Sequence, residues 1–181
     1  MKTRRACAGI LVIICASIII GCFQTGKPAV RVGSFEECTA ASYAVLESYP
    51  RQCRTPDGTL FVEDIGNTIE KLDRIRLAAP RPNDVIISPL VIKGEARGTW
   101  FFEATFPVKL LSENGDVLVG TAARAKGEWM TMDFVSFEAE LKFSKPSSSL
   151  GTLVLQKDNP SGLAERDEEL RIPVLFEKQS R

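Results

Sequence analysis

From Leu90 to Phe176 apolar residues return at every second position, and that period limits the chain to a fold built of half-buried strands. Leu90, Ile92, Gly94 and Ala96 alternate with Val91, Lys93, Glu95 and Arg97. In the stretch Gly98–Leu110, read as one strand, Trp100, Phe102, Ala104, Phe106, Val108 and Leu110 share a face opposite Phe101, Glu103, Thr105 and Lys109. Asn114 and Gly115 supply a hairpin turn, after which Val117, Val119, Thr121, Ala123 and Ala125 line one face. Val135, Phe137, Ala139, Leu141 and Phe143 repeat the pattern, as do Leu170, Ile172, Val174 and Phe176 at the end. With Thr152–Asp158 and a short first strand around Val85–Ile87, this predicts a mainly β domain over residues 79–177, a seven-stranded immunoglobulin-like β-sandwich. No cysteine falls in this region, so its core rests on packed aromatics and aliphatics. Each buried Trp or Phe hides ~150–250 Å², worth roughly 4–6 kcal/mol at ~25 cal/mol per Å² before entropy is subtracted. Pro107 and Pro173 interrupt their ladders and are expected at edges or bulges.

The amino-terminal end follows a different logic. Lys2, Arg4 and Arg5 precede an apolar run that stops at Gly21 and Cys22. A run of about 15 residues is shorter than the ~20 that span a bilayer, which makes residues 1–21 a cleaved export signal. Ile19, Ile20, Gly21 and Cys22 resemble the bacterial lipobox, and the resemblance implies that Cys22 becomes the first mature residue and carries lipid. Acyl chains contribute ~0.8 kcal/mol per buried CH₂, so the membrane is a partner through the lipid alone. Residues 22–33 read as a flexible tether. Phe23 stands where lipoproteins retained in the inner membrane carry aspartate, which fits an outer-membrane location if the host has two membranes. With the signal removed, 20 basic residues face 23 acidic ones and no basic cluster remains, which argues against nucleic acid as a partner.

Of five cysteines, Cys7 and Cys15 leave with the signal and Cys22 takes lipid, so Cys38 and Cys53 remain. In an oxidising compartment two cysteines are most simply a disulfide, and closing a loop of that size is worth ~3 kcal/mol. A metal site is not expected, because the chain has no histidine and zinc wants four ligands. Ser34 and Glu37 form a capping box, Phe35, Cys38 and Ala41 follow at helical spacing, and Asp57-Gly58 turns a hairpin whose second arm is Thr59–Glu63. Residues 34–64 are thus a disulfide-stapled helix-plus-hairpin module, similar to a two-cysteine module that recurs in bacterial envelope lipoproteins. Residues 65–78, charged and followed by Pro80 and Pro82, read as a linker. Residues 178–181 are a tail.

The wording of the sequence adds to its rhythm. "ISPLVIKGEARGTWFFEATFPVKLLSENGDVL", "AKGEWMTMDFVSFEAELKF" and "GTLVLQKDNPSG" follow in order. Together they resemble the immunoglobulin-like domain of bacterial spore germination, a family of GerM-associated modules, over residues from about 78 to 177. The resemblance implies an extracytoplasmic β-sandwich with no catalytic residues to carry over. The GerM-type domain itself is absent from this chain, so the resemblance carries no role in sporulation.

With no histidine, the usual general base is missing. Ser147–Ser149 beside Lys145 read as a loop, not as a nucleophile with its base. Asp158, Asn159, Asp167, Glu168 and Glu169 match no calcium-loop spacing, and "DNPSG" reads as a turn. An enzyme is not expected, and neither is a cofactor. If Phe101, on the outer face, joins Trp129, Met130, Met132 and Phe134 of the "EWMTMDF" connection, the result is an apolar patch of the kind that marks an interaction surface. The competing expectation is that this connection folds over Phe101 as a lid. The leading functional reading is a non-catalytic, lipid-anchored envelope module that binds or scaffolds a protein or glycan partner. The alternatives are a protease-inhibitor or regulatory role for the loop between Cys38 and Cys53, and a purely structural lipoprotein.

Overall fold

Ser34 starts the first element as its capping chemistry dictates. The computed structural model describes residues 31–177; the export signal, Cys22, the tether as far as residue 30 and the tail 178–181 lie outside them. Helix α1 spans Phe35–Ala40: the Ser34 hydroxyl accepts from the Glu37 N–H at 3.2 Å, and the Glu37 carboxylate accepts from the Gly33 N–H at 2.7 Å. Three short antiparallel strands follow, β1 (Ala44–Leu46), β2 (Gln52–Arg54) and β3 (Leu60–Val62), with β2 in the middle. The hairpin about Asp57-Gly58 is present. The expected helix-plus-hairpin gains a strand because Ser42, at φ 60°, turns the chain back so that Val45 pairs with Cys53. The Cys38–Cys53 disulfide, with Cα atoms 6.0 Å apart, forms a fully buried centre with Phe35, and Val32, Tyr43, Val45 and Phe61 pack around it.

Residues 65–78 are not a linker. They hold helix α2 (Thr68–Lys71) and strand β4 (Ile75–Ala79). Strand β4 pairs antiparallel with β6 (Leu90–Arg97), Ile75 opposite Ala96, and Ile75 is buried. Three alternating apolar positions, Ile75, Leu77 and Ala79, flanked by arginines and ended by Pro80, are too brief a signal against so charged a background.

The remaining strands are β5 (Val85–Ile86), β7 (Thr105–Ser112), β8 (Val117–Ala125), β9 (Phe134–Leu141), β10 (Leu150–Gln156) and β11 (Glu169–Phe176). They lie in the order β4-β6-β9-β8-β7-β10-β11-β5, eight strands where seven were expected, the eighth being β4. Strands β8 and β9 pair only through Arg124–Glu138 and Ala125–Phe137, and past that short seam the sheet curls over. The inward rows of both halves, Ile92, Ala96, Phe137 and Leu141 on one side and Phe106, Leu110, Leu153 and Ile172 on the other, close on one core. The alternation in β6, β7, β9 and β11 reproduces the burial pattern position by position. Pro107 and Pro173 lie in interior strands, yet each sits where one neighbour has run out. β10 pairs with β7 only from Val108 onward, and β5 meets β11 only at Leu175 and Phe176.

The stretch read as one strand from Gly98 breaks in two. Gly98–Trp100 form a 3-10 turn, so Trp100 and Phe101 both enter the core, at 2% and 5% exposure, while Phe102 turns outward at 41%. Phe102 and Thr105 then exchange N–H to carbonyl bonds of 2.9 and 3.0 Å around Glu103 (φ 50°) and Ala104 (φ 61°). Positive φ at both central positions makes this a two-residue hairpin turn of the kind that Asn-Gly announces, but Glu-Ala gives no such signal. Side chains in this region cost ~1–2 kcal/mol per residue. Ala104→Gly should therefore raise stability by up to ~1 kcal/mol, glycine's greater unfolded-state entropy offsetting part of the gain. A denaturant midpoint no higher than that of the parent chain would refute this.

Candidate interaction surface

The connection between β8 and β9, residues 126–133, was singled out for its aromatic and methionine content. Its backbone is fixed by specific donors. Gly98 N–H donates to the Asp133 carbonyl (3.1 Å), the Arg97 guanidinium to the Met132 carbonyl (3.1 Å), Thr131 N–H to the Trp129 carbonyl (2.8 Å) and Asp133 N–H to the Thr131 hydroxyl (3.2 Å). Trp129 turns inward and packs against the core, whereas Met130 and Met132 point out at 77% and 72% exposure. Phe134, at the start of β9, lies between two guanidiniums, Arg76 at 4.0 Å and Arg97 at 4.1 Å from the ring centroid.

Of the five residues expected to form one patch, the structure therefore brings only Met130 and Met132 to an open tip. Phe101 is corrected from surface to core: the 3-10 turn swings it inward, 5.2 Å from the Phe106 ring, where no lid is needed. The clamping role of Arg76 and Arg97 was not legible, because nothing in their spacing ties them to Phe134. Gly98 matters for a steric reason. A Cβ there would lie 2.1 Å from the Thr131 carbonyl oxygen and 2.2 Å from that of Trp129. Gly98→Ala is expected to push the 129–131 backbone away, costing roughly 1–3 kcal/mol and speeding amide hydrogen exchange in residues 127–133. Unchanged exchange there would contradict the contact.

A second concave region lies between the disulfide module and the sandwich, about 610 Å³ in volume, with Phe35, Arg51, Glu63, Asn83, Leu150 and Leu175 among its walls. Glu63 is its hub. The carboxylate accepts from Arg51 Nη2 (2.6 Å), Arg51 Nε (2.9 Å) and Asn83 Nδ2 (3.3 Å), and the Asn83 N–H donates to the Pro173 carbonyl at 2.8 Å. Arg51 also lies 5.3 Å from the Phe35 ring centroid. A further clamp is Asn67, whose side-chain amide accepts from Arg171 N–H (2.7 Å) and donates to the Glu169 carbonyl (2.9 Å), pairing with β11 as a strand would. The hydrogen bonds from Arg51 hold the Glu63 carboxyl below its ordinary value, burial opposing them. A depressed folded-state pKa means that the stabilisation is complete above the usual carboxylate range and is lost as pH falls through the folded value. Thermal stability should therefore decline on acidification below that range, and less steeply in Glu63→Gln. Identical profiles for the two proteins would refute the assignment.

Cys22, the expected lipidation site, lies outside the described residues. Among the described residues no group of three or more Cys, Asp or Glu side chains could hold a metal ion, and no helix is long and apolar enough to cross a membrane. The "DNPSG" segment is the expected turn: the Asn159 side-chain amide donates to the Leu163 carbonyl at 2.8 Å and to Asp167 at 2.7 Å.

No curated protein and no solved structure matches the chain. One family does match, over residues 74–164, from the start of β4 through "DNPSG". Its limits take in the strand that the linker assignment had left out and stop short of β11. With half of its length so matched, the chain belongs to the family described as the immunoglobulin-like domain of bacterial spore germination.

Proposed function

We propose that this chain is a non-catalytic envelope module, tethered to a membrane by lipid on Cys22, whose Met130–Met132 tip engages a protein partner. The observation that carries the reading is two neighbouring, fully presented thioether side chains on a backbone fixed by main-chain and guanidinium hydrogen bonds. Flexible, polarisable methionines adapt to apolar protein surfaces, and a fixed backbone lowers the ordering cost of binding. A glycan fits less well. Sugars stack on open aromatic faces, and both faces of Phe134 are occupied by arginines.

Strand register supports an orientation. Helix α1 shares the groove with Glu113 and Leu150, at the end of β7 and the start of β10. The methionine tip is at the opposite end of those strands, about 26 Å away for the eight residues of β7. A chain tethered ahead of α1 would hold the tip away from its own membrane, toward whatever lies across the compartment.

A photo-crosslinking residue at the exposed Glu128, in the full chain made in intact cells, tests the reading. A discrete adduct should form and should disappear in Met130→Lys/Met132→Lys. Absence of any adduct, or one indifferent to the methionines, would overturn it. Fatty-acid labelling lost in Cys22→Ser, with release to the soluble fraction, is the matching expectation for the anchor.

A further inference from the structure

The sulfur atoms of the described residues are distributed unevenly. Between residues 31 and 177 there are four, in Cys38, Cys53, Met130 and Met132. The first two are locked in a disulfide with no exposed surface, and the main core contains neither methionine nor free thiol. The other two stand at 77% and 72% exposure, two residues apart on one tip. Every thioether is thus concentrated where an oxidant in solution reaches it and where its oxidation leaves packing untouched.

We infer that Met130 and Met132 are a peroxide-sensitive modification site whose oxidation disables the tip. The step is an oxygen-atom transfer. A thioether lone pair attacks one oxygen of hydrogen peroxide, the S–O bond forms as the O–O bond breaks, and the departing hydroxide takes up the remaining proton as water. Sulfur loses two electrons to the peroxide and becomes the sulfoxide. The product is polar and chiral where the reactant was apolar and pliable, so an apolar partner surface that buried the tip would have to desolvate two S=O groups.

The geometry confines the change to the tip. The Met130 and Met132 side chains make no core contact, and the bonds that fix the loop run through main-chain groups, the Thr131 hydroxyl and Arg97, none of which peroxide alters. Trp129, the other oxidisable side chain of the loop, is turned into the core and shielded. Oxidation therefore switches the chemistry of the surface while its shape persists.

The chemical part stands alone; the consequence for binding rests on the function proposed above. Purified full chain is treated with hydrogen peroxide and read by peptide mass spectrometry and near-ultraviolet circular dichroism. One oxygen on each of Met130 and Met132, ahead of any other described residue and with an unchanged spectrum, is expected. Failure of the two methionines to react first, or loss of the tertiary signal as they do, overturns the site. In cells carrying the crosslinker at Glu128, peroxide should lower adduct yield about tenfold in the parent chain and leave it unchanged in Met130→Leu/Met132→Leu, which stays apolar and cannot be oxidised. An adduct that survives in the parent chain, or is lost equally in the leucine variant, overturns the switch while the binding reading stands. No adduct before oxidation defeats the binding reading instead, and the switch with it, while the mass readout still decides the site.

Discussion

Replacing Phe106 by alanine should cost about 3–5 kcal/mol, as large a loss as a single truncation in this core can produce. The ring is fully buried on β7, its centroid 4.9 Å from Phe137 on β9, 5.2 Å from Phe101 and 6.5 Å from Trp100, in each case edge to face. It joins the two layers and holds the 3-10 turn against them. Each such pair adds ~0.5–1.5 kcal/mol beyond area burial, and the rigid strands on either side collapse only partly into the vacated space. Against a total of ~5–15 kcal/mol for a domain of this kind, the variant would stand near unfolding at room temperature. Urea denaturation followed by the fluorescence of buried Trp100 measures the loss, with Phe102→Ala as control. The control side chain is 41% exposed and should shift stability by about 0.5 kcal/mol at most. If Phe106→Ala lost no more than its control, the two layers would not be joined through this ring.

The second large effect is local. Replacing Cys38 and Cys53 together by serine should release the amino-terminal module while the sandwich stays folded. Losing a disulfide in a unit this small costs ~2–5 kcal/mol, and only one other side chain, Phe35, is buried with the two cysteines in that cluster. Substitution also leaves two hydroxyls where burial is complete, so the module has nothing to fall back on. Trypsin should then cut after Arg51 and Arg54 and spare a fragment beginning near β4. The Asn67 clamp on β11 lies outside the disulfide loop and should persist, since its partners are main-chain groups of Glu169 and Arg171. Equal protection of Arg51 and Arg54 in parent and variant would show that docking on the sandwich, not the disulfide, orders the module.

The strands legible in the sequence are those in which one face is buried along the whole length. In β6, β7, β9 and β11 a residue's parity alone decides whether it meets the core, so alternation and burial coincide. The capping box and the Asn114-Gly115 turn were equally readable, because each is a bond between residues three or four apart. Strand β4 was not, since its apolar run is short and its arginines serve distant partners: Arg76 donates to the Leu72 carbonyl and covers Phe134. The aromatic run misled for a related reason. A two-residue turn at Glu103-Ala104 without glycine leaves no mark in the composition, and a strand period carried across it assigns Phe101 and Phe102 to the wrong sides.

By itself, the amino-acid order determined everything that depends on near neighbours and on the period of burial: a mainly β chain, the pairing of Cys38 with Cys53, and the family of the larger domain. Tertiary structure alone decided which aromatics are covered, that residues 65–78 belong to the sandwich edge, and that two methionines are left uncovered beside a ring held between two guanidiniums. Those outcomes turn on backbone turns that reverse side-chain direction and on contacts between segments far apart in sequence. Such contacts exist only once the sheet has curled, because nothing local to either segment specifies the other.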